Sequence, residues 1–259
     1  MAIREINYNS RNLRSSEEDK VKTYPAVVIR KSVVFPSEKV PIVIEGKELV
    51  ETVETAVKGD SKVVLIFKKN GDEISIGVLA KIHQSWRLNP FSLGMTLEGL
   101  SRVKIKKFFT EKNISKAEVA ELISEKISES QKMELEALGR SVYDQFKKLL
   151  QLEGVVPLMI ASELQKEHHS PEKISDIVSY ALDLSFENKL ELLETLSVKR
   201  RLEMLNSRLA KELNIVKTEM KIQGEVEKEI GKAQREVLLR EHLKAIEKEL
   251  GIVKEQKEY

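Results

Sequence analysis

The sequence predicts an α+β fold: a small, curled sheet or partial barrel with one helix, then an all-α bundle ending in a very long C-terminal helix. Three observations carry this. Short β-branched runs punctuated by Pro, Gly and Asn fill residues 24–123. After about Ser128 the apolar period changes from two to steps of three and four. From Ser197 onward there is no Pro, and only Gly224, Gly231 and Gly251 interrupt a strongly helical composition.

The elements follow in order. The first 22 residues, with Ser15-Ser16-Glu17-Glu18-Asp19-Lys20, have no apolar period and read as a flexible tail. Val27–Ile29 and Val40–Ile44 are short strands bounded by Pro25, Pro36 and Pro41. Proline removes a ladder donor, so these strands are expected at edges or interrupted. Leu49, Val53, Ala56 and Val57 recur at helical spacing before Gly59. Val63–Phe67 reads as a buried strand, and Asn70-Gly71 as a hairpin turn. In the return strand, Gly77 predicts a bulge or a close backbone approach. Leu93–Leu97 and Val103–Phe109 complete a meander, broken at Glu98-Gly99. Ile114–Ser124 is ambiguous on its residues alone: Ser115 with Glu118 matches a capping box, yet a further strand would complete the sheet.

In the helical part, Leu138, Val142, Phe146 and Leu149 share one face. Pro157 lies near the start of a second helix. Ser170-Pro171 and Ser185 with Asn188 open two more. About 50 residues then form a helix of roughly 75 Å, or two helices broken at Gly224 or Gly231. Apolar residues recur along it, among them Leu209, Val216, Met220, Ile230, Val237, Leu243 and Ile246. A domain of this size cannot cover such a helix, so its far end is expected to pack on a partner or another copy.

Composition limits the chemistry. The 259 residues suffice for roughly two folding units. Cysteine is absent, which excludes disulfides, thiol nucleophiles and thiolate metal sites. Lys plus Arg number 44 against 42 Asp plus Glu, without the basic excess of a dedicated nucleic-acid binder. No apolar run nears the roughly 20 residues of a membrane span, and Met1–Asn9 lacks a signal-peptide core. A soluble, cytoplasmic chain is expected, with no membrane partner.

Motifs narrow it further. Gly46-Lys47 and Gly231-Lys232 lack the flanking Gly and Ser/Thr of a P-loop, so no cofactor site is expected. His83, His168, His169 and His242 show no i, i+4 metal pairing. There is no Gly-x-Ser-x-Gly elbow or Ser-x-x-Lys box, and no catalytic residue is assigned. Arg102, Lys104, Lys106 and Lys107 alternate with Val103 and Ile105, as on a solvated outer face. The least ordinary stretch is Trp86-Arg87-Leu88-Asn89-Pro90-Phe91, which sets the only Trp beside an Asn-Pro turn signal. Trp86, Leu88 and Phe91 are candidates for an exposed binding patch. Packing of both rings on the sheet or the bundle is the competing reading.

The order of elements, with three motifs, resembles the N-terminal region of the Lon family of ATP-dependent serine proteases. The motifs are Tyr24-Pro25-Ala26-Val27-Val28-Ile29 through Phe35-Pro36, then Glu98-Gly99-Leu100-Ser101-Arg102-Val103, then the run from Gln234 to Gly251. Val28 stands where that family commonly has Pro; Val237 and His242 replace its usual Tyr and Gln; and Asn89-Pro90-Phe91 departs from its Asp-Gly type of turn. The resemblance implies a PUA-like subdomain over 23–123 after the tail of 1–22, a helical bundle over 124–197, and a long coiled-coil-like helix over 198–259. It favours a strand at Ile114–Leu122. It implies a non-catalytic domain that recognises unfolded, damaged or degron-bearing proteins and supports a homo-hexamer. It places the ATPase module with its ATP and Mg, and a Ser-Lys dyad, beyond Tyr259, so the chain is expected to be a fragment. The alternative is a PUA-like nucleic-acid module with a dimerising helix.

Overall fold

The structure, a computed structural model, describes residues 21–69, 72–73, 75–122, 128–154 and 169–250. The predicted tail up to Lys20, the Asn70-Gly71 turn, the helix near Pro157, and His168 lie outside the described residues. The architecture is α+β, as expected. The strands are β1 (Lys22–Ile29), β2 (Lys39–Glu45), β3 (Lys62–Lys69), β4 (Asp72–Glu73), β5 (Ile76–Asn89), β6 (Ser92–Glu111) and β7 (Ile114–Glu121). The helices are α1 (Lys47–Lys58), α2 (Glu129–Glu153), α3 (Pro171–Ala181), α4 (Phe186–Glu194) and α5 (Val198–Glu249). Contacts group the chain into two compact units: residues 1–144 with 156–206, and residues 145–155 with 207–259.

In the larger unit the sheet closes on itself. Its order is β1-β7-β6-β5-β3, and β3 returns to pair with β1. That last pairing is parallel, Ala26 opposite Val64 and Ile29 opposite Phe67; the rest of the ring is antiparallel. The expected partial barrel is therefore a complete ring. Each half of β1 has its own neighbour: Lys22–Pro25 pair with β7, and Ala26–Ile29 with β3. Pro25 thus needs no donor on its other side, which is how a proline fits into a closed sheet. Pro41 sits in β2, which pairs with β6 alone.

Val63–Phe67 are all buried, as a strand covered on both faces requires. Ala26, Val64, Ile66, Leu79, Val103, Ala117 and Val119 form one cluster of this core. Gly77 marks a close approach: a Cβ there would lie 2.7 Å from the Leu65 carbonyl oxygen. Helix α1 buries Val50, Val53 and Ala56, whereas Val57 is exposed.

Two expectations need correction. β6 is one strand of 20 residues rather than two broken at Glu98-Gly99. A register shift in its pairing with β5, between Leu79 and Ala80, absorbs the irregularity. The Phe35–Glu38 turn docks against Gly99, Ser37 donating to its carbonyl at 2.8 Å and Gly99 donating to Glu38 at 3.0 Å. Ser115 caps no helix. It lies in β7, where its backbone N–H donates to Thr52 Oγ1 at 3.0 Å and its hydroxyl to Glu48 Oε1 at 3.0 Å. The strand at Ile114–Glu121 is present as the family resemblance implied.

The helices of this unit begin as their sequence signals require. Ser170 Oγ accepts from the Lys173 N–H, with Pro171 at the first position, and Ser185 Oγ accepts from Asn188. The predicted outer face of β6 fails at one residue. Arg102 is 7% exposed and chelates Asp176 of α3, Nη2 to Oδ1 at 2.6 Å and Nη1 to Oδ2 at 3.0 Å. Its Nε donates to the Leu193 carbonyl of α4 at 3.1 Å. Arg201 of α5 lies beside the same carboxylate, its Nε 3.9 Å from Oδ1. Nearby, Glu38 is half-buried and accepts the Phe35 N–H at 2.8 Å. Burial pushes its carboxyl up to about 7, against the opposing pull of that N–H and of Lys189.

In the smaller unit, Phe146, Leu149, Leu150, Leu209 and Leu213 are buried. α5 has no break at Gly224 or Gly231. From Asn214 to Glu249 every residue of it is exposed except the half-buried Val216 and Gly224. Among the described residues no helix is long and apolar enough to cross a membrane.

Asp176→Asn is expected to lower the free energy of urea unfolding by roughly 3 kcal/mol, because it leaves two buried guanidinium groups without a counter-charge. Removing the exposed Lys22–Glu121 pair with Lys22→Ala is expected to leave the urea midpoint nearly unchanged in the same assay, because solvent screens the pair. Glu38 sets a pH dependence. The unfolded chain releases this proton near 4.5 and the folded chain near 7, so its contribution to stability falls as pH rises between those values. Glu38→Gln should therefore gain on the parent chain between pH 5 and pH 8. Parallel urea midpoints at the two pH values check this.

Candidate functional site

The site is built on an arm of the sheet. Beyond Ile82, β5 and the start of β6 run to a tip at Pro90-Phe91, and β2 flanks β6 on its other side. Side chains alternate across such a three-stranded layer, so register decides which residues share a face. Arg87, Leu93 and Ile44 form one cross-strand row, and Ser85, Met95 and Ile42 the next. On this inner face Leu93, Met95 and Ile44 are buried. Arg87 reaches Glu54 of α1 at 3.4 Å, tying the arm to the helix.

Between those rows lies Trp86, opposite Gly94, opposite Val43. The indole rests on the glycine: a Cβ at Gly94 would come within 2.7 Å of Trp86 Cζ2. Glycine is what allows the ring to lie flat over the strand, leaving its other face in water. Trp86 is 42% exposed and Val43 56%. At the tip, Leu88 falls at a register shift between Arg87 and Asn89 and is 53% exposed; Phe91 is 61% exposed. The tip is pinned despite its exposure. Asn89 Oδ1 accepts the Phe91 N–H at 2.8 Å, and the Phe91 carbonyl accepts the Gly46 N–H at 2.8 Å. A fixed backbone presenting four apolar side chains can take up apolar groups with little ordering cost. On the same strands, Glu98 meets His83 at 2.7 Å and Lys39 at 3.7 Å.

The structure thus brings Trp86, Leu88 and Phe91 to one arm and leaves all three rings or chains open to water. Of the two readings of the sequence here, packing of both rings into the fold does not describe Phe91, and describes only one face of Trp86. Val43 was not a candidate. Its signal is the exposed alternation of β2, but its place beside Trp86 depends on a register across three strands that no local pattern encodes.

The candidate residues of the long helix divide. Leu209 is buried within the chain itself. Val216 is half-buried. Met220, Ile230, Val237, Leu243 and Ile246 are each more than half exposed. Leu238 and Leu239 are exposed as well, so the apolar surface is broader than a single stripe. Of the basic run on β6, Lys106 and Lys107 are exposed and Lys104 is half-buried, while Arg102 is taken by Asp176.

Comparison with known proteins bears on this arrangement. Residues 23–211 match the family described as the ATP-dependent protease La (LON) substrate-binding domain. The Lon protease of Azospirillum brasilense is 34% identical over 236 residues, covering 88% of this chain and 29% of that protein. That of Dictyoglomus thermophilum is 31% identical over 244 residues, 90% of this chain and 30% of its own length. The chain thus spans about three tenths of the length of these relatives. Among solved structures, the N-terminal domain of the Mycobacterium avium complex Lon protease superposes with a TM-score of 0.63 at 22% identity, over 73% of this chain and 98% of that one. That likeness supports the fold.

Proposed function

The chain belongs to the Lon protease substrate-binding domain family, and from that premise we propose that it is a non-catalytic recognition and assembly element of an ATP-dependent protease. The observation that carries the recognition half is the pinned arm with Trp86, Val43, Leu88 and Phe91 in water. Folded proteins hide their apolar side chains, whereas unfolded or damaged ones expose them. A rigid apolar surface without a charged centre therefore selects for loss of structure rather than for sequence.

The assembly half rests on α5. Its far half carries leucine, isoleucine and valine residues that are exposed among the described residues. Burying them against other copies would supply the hydrophobic drive for a homo-oligomer, a hexamer in the whole protease. On this reading ATP and Mg act at an ATPase module outside these 259 residues, and a Ser-Lys dyad there cleaves the polypeptide that this domain has engaged. A cytoplasmic setting fits the cysteine-free composition.

Two measurements test the halves separately. With a reduced and alkylated, permanently unfolded protein as ligand, Trp86→Ala and Phe91→Ala are each expected to weaken binding about tenfold, or roughly 1.4 kcal/mol. Lys106→Ala should leave it unchanged. Binding unaltered in both aromatic variants would remove the arm from the proposal. In sedimentation equilibrium the parent chain should gain mass with concentration, and Leu243→Glu with Ile246→Glu should hold it at the monomer. A parent chain that stays monomeric at high concentration would remove α5 as the assembly element.

A further inference from the structure

A cleft of about 820 Å³ opens within the larger unit, and Leu100, Arg102, Lys132, Leu135, Asp176 and Arg201 are among the residues that line it. Arg201 is 1% exposed. Its Nε donates to Ser175 Oγ at 3.2 Å, and its Nη1 to the Thr195 and Leu196 carbonyls at 2.8 and 3.0 Å. Its Nη2 is buried and, among the described residues, has no hydrogen-bond partner.

The charges do not balance either. Two buried guanidinium groups share one buried carboxylate. Both Asp176 oxygens are chelated by Arg102, so among the described residues Arg201 meets only neutral oxygens at hydrogen-bond distance. Glu136 and Glu172 also line the cleft, but both are exposed to water, and Glu134 is held by Lys199 at 2.6 Å. A buried cation with an unused donor is costly to keep, and natural structures rarely leave one without a partner.

We infer that this cleft is an anion site, in which Arg201 Nη2 donates to an oxygen of a carboxylate or phosphate group. An oxyanion supplies both missing things, the acceptor and the counter-charge, and guanidinium is the side chain best shaped to receive it. Burial and the neighbouring Arg102 pull the Arg201 guanidinium down to about 10, a strain that a bound anion would relieve. Lys132, exposed on α2, adds to the positive charge at the cleft, which Lys173 also lines. Leu100 and Leu135 give it an apolar flank, which suits a peptide's terminal carboxylate better than a fully hydrated ion. The site is separate from the arm and stands without the recognition proposal.

The test titrates the full chain at constant ionic strength with sodium phosphate, and with a short apolar peptide as its free acid or its amide, using chloride as reference. The thermal midpoint is read. Phosphate or the free acid should raise it by several degrees over chloride. Lys132→Glu should weaken the apparent affinity at least fivefold without moving the midpoint in chloride, and Arg201→Lys should abolish the effect. If Arg201→Lys does not fold, Lys132→Glu decides. Response to the acid and not the amide assigns the occupant to a polypeptide terminus; an equal response to phosphate assigns it to any small oxyanion. No rise above chloride with either ligand, or a rise unchanged in Lys132→Glu, overturns the site. Trp86→Ala should keep the anion response even where it loses the unfolded protein, so the two proposals fail independently.

Discussion

One carboxylate holds the sheet to the helices. Asp176 of α3 receives Arg102 from β6 and lies beside Arg201 of α5, while Arg102 also reaches the backbone of α4. Strand β6 and three consecutive helices far from it in sequence therefore meet at a single buried charge. Apolar packing alone tolerates sliding by a fraction of a residue; a bidentate ion pair does not. Such a pair adds little net stability, because desolvation offsets most of the attraction. What it contributes here is position. With Arg102 fixed, the register of β6 relative to α3 is fixed.

That anchoring has consequences along the whole of β6. The strand is long enough to take part in two structures: its second half is a stave of the closed ring, and its first half is the middle of the arm. Because Arg102 and Gly99 lie between the two halves, the docked Phe35–Glu38 turn and the ion pair together hold the point from which the arm projects. The apolar residues of the arm are thus presented by a braced strand rather than by a free loop.

Much of this was legible in the sequence, for physical reasons that differ from place to place. Ser170-Pro171 and Ser185 with Asn188 gave their helix starts away because capping is a local interaction. Val63–Phe67 was readable because a strand buried on both faces has no polar alternation to confuse it. Ser115 was not, since its four-residue pattern with Glu118 mimics a cap while its true partners, Thr52 and Glu48, are more than 60 residues away. Arg102 misled for a related reason. In a strand of alternating Lys and Val an arginine looks solvated, and only the distant Asp176 makes it a core residue. The exposed aromatics of the arm stood out by composition, but Val43 joined them only through register.

The apolar surface of α5 has a geometry with its own demand. At 100° per residue, Val226, Ile230, Ala233 and Val237 cluster on one side of the helix. Leu239, Leu243 and Ile246 cluster on another, roughly 220° around the axis. The change of side occurs within the two residues from Val237 to Leu239. A single straight helix laid alongside would cover one set and leave the other wet. A partner that covered both sets would have to cross over the helix at that point or approach it from two directions.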